Sequence, residues 1–97
     1  MKCEIVYLPI ANRDIIRIDD ALIDYPNKAK RIFQEMESKV ADLKEMPYMW
    51  PVYQAKPEYR RMILEDHLLF YKVDDNEHKV RVYRVLYDKM NIQEYLE

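Results

Sequence analysis

The sequence contains no glycine, no threonine, one serine (Ser38) and one cysteine (Cys3). Each shortage excludes something. Phosphate loops and dinucleotide fingerprints need backbone that approaches a phosphate without a Cβ, so a chain free of glycine carries neither. A serine-based triad has only Ser38 to draw on, and that residue falls in a helical stretch. A lone cysteine forms no internal disulfide, which makes the cytoplasm the expected compartment, and Met1-Lys2-Cys3-Glu4 has no charged-then-apolar export pattern. Cys3 itself reads as a small core or edge residue. No apolar run approaches the roughly 20 residues that span a bilayer, so no membrane partner is expected. His67 and His78 are the only histidines and their spacing matches no ligand pattern, so no metal and no cofactor are expected. Without glycine, a turn position with positive φ should fall to Asn or Asp, and Asn76 is the candidate.

What is present is a globular composition: 97 residues, 49% hydrophobic and 35% charged, which sets the expectation of one domain over 1–97. The formal net charge is −2, so any basic patch for nucleic acid must be local. The segment 60–91 organises the rest. It holds three runs, 62–64, 67–73 and 80–87, the longer two dense in aromatic and β-branched residues that suit a pleated surface. The polar cluster 74–78 has hairpin-loop length, and such short connectors join antiparallel strands. A sheet this small needs a cover.

Residues 2–8 read as a first strand, ended by Pro9. Ala11, Ile15, Ile18 and Leu22 then mark one helix face, with Arg13, Asp14, Arg17, Asp20 and Asp24 mostly off it. Pro26 suits the first turn of a second helix, and Asp24 is its candidate cap. Ala29, Ile32, Phe33, Met36, Val40, Leu43 and Met46 follow a helical period until Pro47 stops it. The connector 48–57 carries Tyr48, Trp50 and Tyr53, which either pack over the core edge or form a stacking platform or docking site. The stub 92–97 should dock through Tyr95 and Leu96. The expected fold is therefore α+β in the order β-α-α-β-β-β. It is a small antiparallel sheet of about four strands, the first beside the last, with a helical hairpin on one face and the other face open.

Within the strands, Arg60 and Arg61 open the second, while Arg81, Arg84 and Tyr87 lie on the last and Lys89 follows. Surface pairing with Glu65 or Asp66 is the plain reading. Strict alternation separates Arg84 from Tyr87, so they converge only if the strand bulges or ends between them.

Four motifs in order make a more specific pattern: Tyr7-Leu8-Pro9-x-Ala11-x-x-Asp14, Tyr59-Arg60-Arg61, the run from His67 to Asp74, and Arg84-Val85-Leu86-Tyr87-Asp88-Lys89. Over nearly the whole chain this resembles the RelE/ParE superfamily of toxins from bacterial type II toxin–antitoxin modules. The resemblance implies a growth inhibitor neutralised by a cognate antitoxin, as a homodimer or a toxin–antitoxin hetero-oligomer. RelE-like members cut mRNA on the ribosome without metal; ParE-like members bind and inhibit DNA gyrase. For a ribosome-dependent mRNA endoribonuclease, the resemblance assigns Arg61 and Arg84 to charge stabilisation and Tyr87 to the acid, with Lys56, Arg60 and Lys89 on the RNA backbone. Leu68 stands where nuclease members commonly carry arginine, and tyrosine stands where a YoeB-like pattern has histidine. The nuclease is the leading expectation because Arg61, Arg84 and Tyr87 are present. The alternatives are a gyrase inhibitor or a degenerate antitoxin-binding member.

Overall fold

Pro9 divides the first strand from the first helix and serves both. It has no N–H for a ladder, and its fixed φ suits a helix start. In the computed structural model, which describes residues 2–96, β1 (Glu4–Tyr7) ends before it and α1 (Pro9–Ala21) begins on it. Pro26 opens α2 (Pro26–Asp42) in the same way. Asp24 does not cap that helix: Tyr25 is the N-cap and makes no side-chain bond, so the proline alone sets the start.

The buried residues of α1 are Ala11, Asp14 and Ile18. Asp14 therefore lies on the core stripe and not off it, a difference with consequences for the site. In α2 the buried set is Ala29, Ile32, Met36 and Val40, with Leu43 fully buried just beyond. The helix stops at Asp42, short of the expected Pro47, and Met46 is exposed. The physical reason is a handover: the chain turns so that the Lys44 carbonyl accepts the Cys3 N–H, 2.8 Å away, at the mouth of β1.

Three further strands follow, β2 (Arg60–Leu64), β3 (His67–Asp74) and β4 (Lys79–Tyr87), and the sheet order is β1-β4-β3-β2. The β2–β3 and β3–β4 pairs are antiparallel. The expected neighbour pair β1–β4 forms, but it is parallel, so the sheet is mixed. The connection carrying both helices is long enough to return the chain to its starting end, which a short turn cannot do. No helix among the described residues is long and apolar enough to cross a membrane.

One core lies between the sheet and the helices, with Ala11, Ile18, Met36, Val40, Leu69, Tyr71, Val80, Val82 and Val85 among its members. The opposite face is not open. A second core of Tyr59, Phe70, Leu86, Ile92 and Leu96 covers it, with Tyr53, Leu68, Tyr83 and Met90 packed around it. The short 3-10 turn Ile92–Glu94 and the residues after it supply this cover, because the C-terminal stub folds back across the sheet. Trp50 packs against the first core and Tyr53 against the second, Tyr53 edge-on to Phe70 at 5.1 Å. Tyr48 stays exposed, bonds Asp75 through its hydroxyl and lies under the Arg60 guanidinium.

A register shift separates Phe70↔Arg84 from Tyr71↔Val82, leaving Tyr83 as the extra residue on β4. Val82 and Val85 consequently both reach the helix-side core. Positive φ falls at Glu65 and His78, both 54°, and not at Asn76. The Asp74 carboxylate accepts the Glu77 N–H and winds the loop, which leaves the left-handed step to its last residue. Each such non-glycine position costs on the order of 1 kcal/mol.

Candidate functional site

The place where β1 stops determines the site. Leu8 N–H still bonds the Val82 carbonyl, after which α1 leaves the sheet and runs beside the uncovered part of β4. An open strand edge there would leave the Val85 N–H unpaired. Asp14 fills the gap. Its Oδ2 accepts from Val85 N at 3.0 Å and from Arg84 Nε at 2.8 Å, and its Oδ1 from Arg84 Nη2 at 2.9 Å and Arg17 Nη1 at 3.1 Å. Four hydrogen bonds fill the acceptor sites of a fully buried carboxylate. Arg84 also donates from Nη1 to the Tyr95 carbonyl at 2.9 Å, with its guanidinium 5.6 Å from the Tyr95 ring. The hydrogen bonds to Asp14 hold Arg84 even further above neutrality than an ordinary arginine. This one side chain ties α1, β4 and the C-terminal stub together. Beside it is a cavity of about 240 Å³ lined by Leu8, Ile10, Tyr59, Tyr83, Arg84 and Tyr95.

Tyr87 lies elsewhere. It lines a groove of about 380 Å³ between α1, the start of α2 and the ends of β3 and β4, together with Arg17, Lys28, Asp66, His67 and apolar side chains. The β2–β3 turn places Asp66 at the rim. Its Oδ2 accepts from Lys28 Nζ at 2.6 Å and its Oδ1 lies 2.9 Å from His67 Nδ1. Burial pushes the Asp66 carboxyl up, but the Lys28 and His67 hydrogen bonds outweigh it and hold the group below the usual carboxylate range. Lys28 is raised in turn, first by that bond to Asp66. His67 is buried, with its ring 5.6 Å from that of Tyr87.

The remaining expected residues are scattered. Arg61 is half-buried opposite Phe70 in register, its buried Nε without a hydrogen-bond partner among the described residues. Arg60 donates to the Trp50 and Tyr48 carbonyls at 2.6 and 3.2 Å. Lys56 donates to the Leu96 carbonyl at 2.6 Å and so clamps the stub. Lys89 is exposed after β4. Arg61, Arg84 and Tyr87 are not brought to one place, because the bulge lies before Arg84 and leaves the 84–87 parity intact. Nor do Glu65 and Asp66 pair with strand arginines. Glu65 takes Arg31, Asp66 takes Lys28 and His67, and Arg81 pairs with Asp74 and Glu77. Among the described residues no group of three or more His, Cys, Asp or Glu is placed to hold a metal ion. Sequence reasoning missed Asp14, Lys28, Asp66 and His67. The Ala11–Asp14–Ile18 spacing was the available signal for the first.

A four-stranded mixed sheet backed by two helices in the order β-α-α-β-β-β, with the motif residues on β1–α1, β2, β3 and β4, defines a RelE/ParE-superfamily toxin of a type II toxin–antitoxin system. Within that superfamily, residues 5–92 match the family described as ParE toxin of type II toxin-antitoxin system, parDE, and the chain belongs to it. Solved structures of similar fold include the chromosomal ParDE system from P. aeruginosa. It is 18% identical, has a TM-score of 0.71, and the match covers 89% of this chain and 96% of that one. The RelBE2 toxin–antitoxin complex from Mycobacterium tuberculosis is 18% identical with a TM-score of 0.57, over 90% and 99% of the two chains. YafQ from E. coli strain BL21(DE3) is 21% identical with a TM-score of 0.55, over 89% and 93%. No curated protein sequence matches the chain.

Proposed function

We propose that this toxin acts by binding and inhibiting DNA gyrase, in the manner of ParE-like members, with a cognate antitoxin as its neutralising partner. The observation that carries this reading is the buried Arg84–Asp14 pair. An arginine that steadies charge on a phosphorane must keep donors free and aimed at an open site. Arg84 commits three nitrogens to Asp14 and the Tyr95 carbonyl instead. Leu68, where nuclease relatives commonly carry arginine, packs against the second core. Membership of the ParE family supports the same side of the division. The mRNA endoribonuclease, which led on sequence alone, becomes the second reading. One observation still favours it: Asp66, His67, Lys28 and Tyr87 gather acid–base groups at one strand end.

Brief induction in a bacterial host separates the two. The gyrase reading expects loss of plasmid supercoiling and a DNA-damage response, with mRNA 5′ ends unchanged. Codon-phased mRNA cuts with normal supercoiling would overturn it.

A further inference from the structure

We propose that the chain forms a symmetric homodimer by pairing its β1 strands edge to edge, antiparallel, in the register that sets Val6 against the partner's Val6. This goes beyond the gyrase reading and does not rest on it. The backbone fixes the register, and the side chains name the occupant.

β1 stands at one end of the sheet, so one of its edges is open. The Glu4 N–H bonds the His78 carbonyl at 2.9 Å and the Leu8 N–H bonds the Val82 carbonyl at 3.0 Å. Residues 4, 6 and 8 therefore turn their backbone groups toward β4. Ile5 and Tyr7 turn theirs outward, where nothing among the described residues bonds them. This open stretch is bounded on both sides. Before it, the Lys44 carbonyl already takes the Cys3 N–H at 2.8 Å. After it, Pro9 has no N–H and starts α1. A closed two-fold pair uses the same edge on both copies, which makes the strands antiparallel. Centring the pair on Ile5 would bring Tyr7 against the blocked Cys3, and centring it on Tyr7 would bring Ile5 against Pro9. Centring it on Val6 sets Ile5 against the partner's Tyr7 on each side of the axis, and each such pair exchanges both of its hydrogen bonds.

A groove of about 560 Å³ runs along this edge, walled by Ile5, Tyr7, Ile15, Phe33, Met36 and Val40. Edge pairing joins two such grooves and takes their apolar walls out of water. Glu37 and Lys44 also line the groove, both exposed and neither in an ion pair or hydrogen bond among the described residues. They mark its two ends. Glu37 lies toward Tyr7, where its charge adds to burial in pushing that phenol up. Lys44 lies toward Cys3 and Ile5. An antiparallel second copy therefore brings each Glu37 toward the partner's Lys44. The small side chain of Ala41 sits between the two charges and gives the facing helices room. A second copy carries the complementary charges by symmetry, and a foreign strand does not.

The test measures the full chain, free of antitoxin, by sedimentation equilibrium from low to high micromolar concentration. The mass should rise from 12.0 kDa to twice that value. Amide hydrogen exchange read by NMR should slow at Ile5 and Tyr7 as the dimer forms, while the Val6 amide is protected throughout. Glu37→Lys and Lys44→Glu change exposed side chains and leave the core intact. Each should weaken the dimer at least about tenfold, because attractive contacts become repulsive on both sides of the axis. The chain carrying both substitutions should dimerise like the wild type. An equimolar mixture of the two single variants should form the mixed dimer, in which every facing pair is opposite in sign. A mass that stays at 12.0 kDa up to millimolar chain would overturn the proposal. So would a dimer whose new amide protection falls along β2, a double variant no better than the single ones, or single variants that fail to associate when mixed.

Discussion

Asp14→Ala should be the most damaging single substitution in α1. The carboxylate is fully buried and takes four hydrogen bonds, and Arg84 beneath it is 11% exposed. Its removal strands a guanidinium with only the Tyr95 carbonyl and orphans the Val85 N–H. Losing one partner of a buried pair costs about 3–5 kcal/mol. A domain of this size has about 5–15 kcal/mol in total, so the variant keeps little margin. At about 4–8 °C per kcal/mol, the melting temperature should fall by roughly 15–30 °C. Arg17→Ala removes the exposed fourth contact and should cost no more than about 1 kcal/mol. The double variant Asp14→Leu with Arg84→Met removes both charges and should recover about 2 kcal/mol or more relative to Asp14→Ala, since apolar replacement of a whole buried pair is often neutral. Urea and thermal unfolding followed by circular dichroism measure all four proteins. A fall below about 4 °C for Asp14→Ala, or a double variant no more stable than the single one, would refute the assignment of this pair as the clamp.

Two titrations test the rest of the fold. The Asp66 carboxyl is held low by Lys28 and His67 in the folded protein, so its contribution is present above the unfolded value near 4 and is lost as pH falls through the folded value. Melting temperatures of wild type and Asp66→Asn should therefore differ at neutral pH and converge below about pH 4. A difference that persists unchanged into strong acid would count against the Lys28–Asp66–His67 chain. At the other end, burial pushes the Tyr71 phenol up to about 12, while its hydroxyl donates to the Pro47 carbonyl at 2.8 Å. That stabilisation is whole below about pH 10 and is lost as pH rises through the folded value. Tyr71→Phe should cost about 1–2 kcal/mol near neutrality. It should also remove the latest step from an ultraviolet tyrosine titration, and a titration that keeps that step would refute it.

Much of the architecture was legible because it follows from periodicity and punctuation. Pro9 located the end of the first strand, Pro26 the start of the second helix, and the two aromatic-rich runs the β3–β4 hairpin. The direction of β1 was not legible, since alternation reports which face a residue takes and not which way its strand runs. The second core was hidden for a related reason. Docking of the stub through Leu96 was legible, but not that Ile92 and Leu96 cover the far face of the sheet, which the fold-back clamped by Lys56 and Arg84 brings about. Positive φ at His78 follows from the Asp74–Glu77 turn, which propensity at single positions does not encode.

The functional residues were harder to read because their roles depend on where a strand ends. Arg84 and Tyr87 are both motif residues three positions apart, and the family resemblance assigns them to one site. The uncovered edge of β4 separates them. At Arg84 that edge needs a hydrogen-bond acceptor, and α1 supplies Asp14, which turns an arginine suited to phosphate into a structural clamp. Three residues on, Tyr87 is 39% exposed at the mouth of the groove beside α1. On the gyrase reading proposed above, one well-placed carboxylate on the first helix is enough to take this arginine away from phosphate chemistry, with no change in the arginine itself.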